Sequence, residues 1–157
     1  MLTCRVARYS AVVLSLSLLV LFLVFIESAR GAEGVAPLST NVSGAITQDT
    51  VWTVTQVITG DVTVNSGVTL TIEAGVDVLF DGDYALIVQG TLSAEGTASE
   101  PIRFTSNQTA TKAGDWGMLD FRSGSGPSVL RHAIVEYGGS ATRAGQGCVS
   151  GALCVNT

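Results

Sequence analysis

The chain has 157 residues, enough for one domain of ordinary size. It carries 8 basic and 13 acidic residues for a net charge of −5, and Lys112 is its single lysine. That balance excludes a basic groove for nucleic acid or a polybasic face for anionic lipid.

The first element is a targeting signal. Arg5 and Arg8 precede the uncharged run Ala11 to Ile26, and Glu27, Arg30 and small residues follow. A basic start, an apolar centre and a small-residue exit are the layout of a secretory signal peptide over residues 1–31, with Ala29 and Gly31 at the cut. The apolar run is shorter than the roughly 20 residues a spanning helix needs. The alternative is a membrane anchor through residues 11–26, which would make the membrane a partner only if the segment stays uncleaved. Removal of Arg5, Arg8, Arg30 and Glu27 with the signal leaves 5 basic and 12 acidic residues, net −7. The expected location is outside the cell, secreted or at the cell surface.

Residues 32–44 are small and polar, contain Pro37, and read as a linker to a domain over 45–157. From there no window keeps an apolar stripe at helical spacing. Alternation with period two recurs instead. Trp52, Val54 and Ile58, then Val62 and Val64, then Val68, Leu70 and Ile72, then Val76, Val78 and Phe80 fall on one face. Leu86 and Val88, Leu92, Ile102 and Phe104, Leu119 and Phe121, and finally Ala133, Val135 and Tyr137 continue the series. Gly60, Gly67, Gly75 and Gly82 punctuate the first runs and read as corners. Strands this short cannot bury a face alone. Tight antiparallel hairpins would favour Asn-Gly or Asp-Gly turns, and only Asp81-Gly82 is of that type. An offset of 24 places Val62 and Val64 on Leu86 and Val88, Leu70 near Leu92, and Phe80 on Phe104. Such stacking predicts a parallel β-helix of about three coils, the last lengthened by an insertion after Ser106.

The phrases "GDVTVNSGVTLTIEAGVDVLF", "LIVQGTLSAEGTASEPIRFTS", "GDWGMLDFRSGSG" and "LRHAIVEYGG" resemble secreted bacterial right-handed parallel β-helix repeat proteins of the pectate-lyase-like superfamily. The resemblance spans residues 43–148 and implies an all-β solenoid outside the cell. It does not imply one activity, because such repeats serve lyases, hydrolases, adhesins and stalks alike.

Three groups of residues are candidates for chemistry. Asp77, Asp81 and Asp83 supply oxygen ligands for a Ca2+ ion, the one cofactor considered; the competing reading is a solvated acidic corner. Trp116 with Asp115 and Asp120 forms either a platform for sugar rings or, for Trp116, a plug where the coil restarts after the insertion. His132 is the sole histidine, which excludes a histidine metal cluster. Glu136 is expected beside Arg103 or Arg122 of an adjacent coil. Cys148 and Cys154 are a candidate disulfide if Gly151 turns the chain back, since the Cα atoms must come within about 7 Å; two buried thiols are the alternative. No catalytic residue is assigned. The function expected is a non-catalytic extracellular scaffold or binding module contacting polysaccharide. The alternative is the N-terminal fragment of a polysaccharide lyase or glycoside hydrolase. The alternating run near Thr157 reads as an unfinished coil, so further coils or a second copy are expected partners at that end.

Overall fold

The computed structural model describes residues 38–142 and 152–156. The signal segment, residues 32–37 of the linker, and Cys148 lie outside the described residues. Among the described residues twelve short strands are formed, and every pairing between them is parallel. They are β1 (Thr40–Ile46), β2 (Thr50–Trp52), β3 (Gln56–Val64), β4 (Thr69–Ile72), β5 (Asp77–Phe80) and β6 (Leu86–Val88). They continue as β7 (Thr91–Glu95), β8 (Ile102–Ser106), β9 (Leu119–Phe121), β10 (Val129–Arg131), β11 (Ala133–Val135) and β12 (Leu153–Val155).

The strands make three walls. The long strand β3 turns a corner within itself. Residues 56–58 pair with β5, and residues 62–64 pair with β6. The first wall therefore runs from β3 through β5 and β8 to β11. The second runs from β3 through β6 and β9 to β12. The third is the separate sheet β2, β4, β7, β10. Three full coils lie between Gln56 and Arg131, with β1 and β2 as a shorter turn ahead of them and β11 and β12 after. The chain is a parallel β-helix.

Alternation explains the core. The inward residues of β3 to β9 are Val, Ile, Leu or Phe apart from Gln56, Ala94 and Ser106, and they are almost wholly buried. Burying each large apolar side chain contributes about 1.5–3 kcal/mol. The expected register holds on the second wall, where Val62 and Val64 pair with Leu86 and Val88. These in turn pair with Leu119 and Phe121. On the third wall Leu70 pairs with Leu92 and Ile72 with Ala94. At the expected corners, Gly67 and Gly75 adopt φ of 78°, a region in which side chains are strained.

Three expectations need correction. Phe80 does not lie on Phe104: Phe80 pairs with Ser106, and Phe104 pairs with Val78, 26 residues back instead of 24. The coil is lengthened by the turn before β8, where Thr97 N–H and Oγ1 bridge to Glu100. The sheet also begins earlier than expected, because β1 starts at Thr40 inside the segment read as a linker. Pairing with β3 recruits it, and Val42 and Ile46 pack on the core. Tyr137 is not an inward residue. The chain turns there with φ of 63° and leaves its ring exposed.

Candidate functional site

The outer face of the first wall carries a ladder of charged side chains. Asp77 on β5, Arg103 on β8 and Glu136 just after β11 stand on successive rungs. Their neighbours along the strand turn inward to the core, so period-two alternation sends these three outward. Arg103 Nη2 donates to Glu136 Oε1 at 2.8 Å, and Arg103 Nε lies 3.9 Å from Asp77 Oδ1. Thr105 Oγ1 also donates to Glu136 Oε1 at 3.1 Å. The expected approach of Glu136 to the adjacent coil is realised with Arg103, not with Arg122. Side-chain exposures of 30–46 % across the three residues leave the ladder open to solvent. Its ion pairs are therefore screened and each is worth about 1 kcal/mol or less.

The acids proposed as calcium ligands are not gathered. Asp77 opens β5 and Asp81 follows its last residue, so the strand holds them about 13 Å apart at 3.3 Å per residue. Asp81 accepts from Asn107 Nδ2 at 3.1 Å, and Asp83 accepts from the Thr142 hydroxyl. Among the described residues no group of three His, Cys, Asp or Glu side chains converges as metal ligands would.

Trp116 is the plug and not the platform. It is fully buried and lies parallel on Phe80, with ring centroids 4.0 Å apart. Its indole N–H donates to the Glu136 carbonyl at 2.8 Å. A ring with both its face and its N–H engaged inside the core offers nothing to a sugar. Asp115 serves the same corner, accepting from Ser106 Oγ and from Lys112 N–H, both at 2.9 Å. Asp120 is 2 % exposed. It accepts from Asn156 Nδ2 at 3.0 Å and stands 2.7 Å from Arg122 Nε. That separation makes an ion pair, although the Arg122 N–H is not aimed for a hydrogen bond. Trp116, Asp115 and Asp120 thus support structure at two places and form no common site.

One feature of the second wall was not legible in the sequence. Its outward residues Ala85, Met118 and Cys154 are buried in a second apolar cluster with Ile87 at its edge. Outward apolar residues in a solenoid look like ordinary strand positions until something is seen to cover them. Cys154 in this cluster is disulfide-bonded. His132 is exposed and sits at a bend with φ of 46°, outside any arrangement of acids.

Shallow grooves complete the surface. One of about 480 Å³ lies outside the third wall between Thr71, Glu73, Ser93, Glu95 and Glu100. It lacks an aromatic floor and a basic residue within its lining.

A family model for the pectate-lyase-like beta helix domain matches residues 44–147. Comparison with curated proteins gives no match, and comparison with solved structures gives none. With parallel walls, inward apolar columns and that match over most of its length, the chain belongs to the pectate-lyase-like beta helix domain family.

Proposed function

We propose that the protein is an exported, non-catalytic β-helix module whose outer face contacts polysaccharide. One observation carries the reading. The charged groups on the outer face of the first wall are spent on each other, with Arg103 between Asp77 and Glu136. A glycoside hydrolase needs two carboxylates about 5–9.5 Å apart facing the same open cleft. A cation-assisted enzyme needs converging oxygen ligands. Asp77 and Glu136 are instead held by Arg103 across successive coils. Hydroxyls and paired charges on a flat, rigid wall suit contact with the hydroxyls of a long polymer, each contact weak and repeated along the chain. The acidic balance favours a neutral polymer over a polyuronate.

The test is retention of the exported protein on insoluble and immobilised polysaccharides, neutral and acidic, followed by the Arg103→Ala and Thr105→Ala variants. Retention on a neutral polymer, weakened about threefold to tenfold in the variants, is the expected result. A protein that passes every matrix unretained would remove the binding half of the reading. Turnover of any polymer would replace the reading with the carbohydrate-active enzyme.

A further inference from the structure

Beside the charge ladder, the outer face of the first wall carries an aliphatic strip. The geometry points to this strip as the floor on which a neutral polysaccharide lies, with its chain running along the coil axis. The inference rests on the polysaccharide reading above and deepens it, by naming the contact and the class of polymer. Val57 on β3 pairs with Leu79 on β5, so the two side chains stand on adjacent rungs. Their strand neighbours Gln56, Ile58, Val78 and Phe80 are buried in the core. Alternation therefore turns Val57 and Leu79 outward, where both are half-buried. Hydrogen-bonding groups close the strip at each end. Asn41 of β1 pairs with Val57, and Thr105 of β8 pairs with Leu79.

Polar rims flank the strip. On one side Arg103 lies 3.9 Å from Asp77. On the other, one residue past the paired part of β5 and β8, exposed Asn107 donates to exposed Asp81 at 3.1 Å. Each rim is held by its own bond, so it is ordered before a ligand arrives. An aliphatic floor between hydrogen-bonding rims complements a sugar ring, whose C–H faces are apolar and whose hydroxyls lie at its edge.

Size and charge select the occupant. The first wall is five strands wide with β1 included. At about 4.8 Å between strands, and with three outward columns about 6.6 Å apart, the face covers roughly 250 Å². A stable folded partner needs about 800 Å² on each side, whereas a narrow polymer does not. The rims set Asp77 and Asp81 against Arg103 alone, in a chain with 13 acidic and 8 basic residues, so a polyanion is repelled. The strip crosses the strands, so a polymer laid on it follows the coil axis and repeats its contacts from rung to rung.

The experiment is a set of binding isotherms of the exported protein on immobilised β-glucan, galactomannan, xylan and polygalacturonate, at low and high salt. The parent is compared with Val57→Thr, Leu79→Ile and the Val57→Thr/Leu79→Thr double variant. Threonine keeps the branched shape and strand preference of valine, and circular dichroism checks each fold. Binding to a neutral polymer that does not change with salt is the expected result. The double variant should bind about threefold to tenfold more weakly, Val57→Thr should fall between it and the parent, and Leu79→Ile should match the parent. Equal binding to polygalacturonate, or binding lost at high salt, overturns the inference. So does a double variant that binds like the parent; if Arg103→Ala still weakens binding, the polysaccharide reading survives without this floor. Absence of binding to every polymer overturns both.

Discussion

The indole of Trp116 lies on the ring of Phe80 at 4.0 Å with only 6° between the planes, and this pair joins the insertion after β8 to the core. Phe80 closes the inward face of β5, and its register partner on the next coil is the small Ser106. The space above Phe80 is filled by Trp116, delivered from the far end of the insertion. Truncation removes a fully buried aromatic side chain. Trp116→Ala should cost about 3–5 kcal/mol, read as a drop in the denaturant midpoint at constant slope. Pairing it with Phe80→Leu in a double-mutant cycle should give a coupling of about 0.5–1.5 kcal/mol; strictly additive effects would mean that the rings do not stack in solution.

Close packing governs some of the glycines and backbone freedom others. A methyl group on Gly90 would meet the Val68 carbonyl oxygen at 2.2 Å and the Asn65 carbonyl oxygen at 2.3 Å, both backbone atoms of the coil beneath. Gly124 has a φ of 83° but open space around it. Gly124→Ala should therefore cost only the left-handed penalty of about 1–2 kcal/mol. Gly90→Ala should cost clearly more, because two coils must separate. Thermal melts of the two variants rank them directly, and the reverse order would contradict the coil spacing described here.

The two ion-paired clusters should behave differently. Arg103→Ala touches an exposed ladder and should change stability by about 1 kcal/mol or less, with the difference shrinking in high salt. Asp120→Ala strips the acceptor from the Asn156 amide and the counter-ion from Arg122 at a buried position. That should cost about 1–3 kcal/mol and depend little on salt. Equal effects in urea titrations at low and high salt would refute the contrast.

Calcium should have no hold on the fold. With Asp77 and Asp81 at opposite ends of β5, added millimolar calcium or excess chelator should leave Tm unchanged. A ligand specific to the native state raises Tm as its concentration rises above its Kd. A calcium-dependent rise of several degrees, lost in Asp81→Ala, would place a metal site at the corner after β5.

Much of the fold is legible in the sequence because the inward columns are written in uninterrupted alternation. The second wall reads correctly at its first step, where Val62 to Leu86 is 24 residues, and the insertion after β8 lengthens the next, Leu86 to Leu119, to 33. The first wall misleads because turns differ in length from coil to coil. Gln56 to Val78 is 22 residues, whereas Val78 to Phe104 is 26. A single period fitted across both puts Phe80 on Phe104, two residues out of register. The Arg103–Glu136 pair was legible, since outward residues of adjacent rungs must meet. The partner of Phe80 was not, because Trp116 reaches it from an insertion that has no periodicity. The candidate acids failed for a related reason. Nearness in sequence means nearness in space only at a turn, and Asp77 is separated from Asp81 by a full strand.

The central claim is that this coil stack holds polymer without cleaving it. The most direct measurement follows new reducing ends and unsaturated sugar products from a panel of polysaccharides, with and without calcium, using the exported protein. The account predicts retention on polymer with no product above the protein-free rate. Calcium-dependent product formation, abolished by Asp81→Ala or Asp83→Ala, would contradict it.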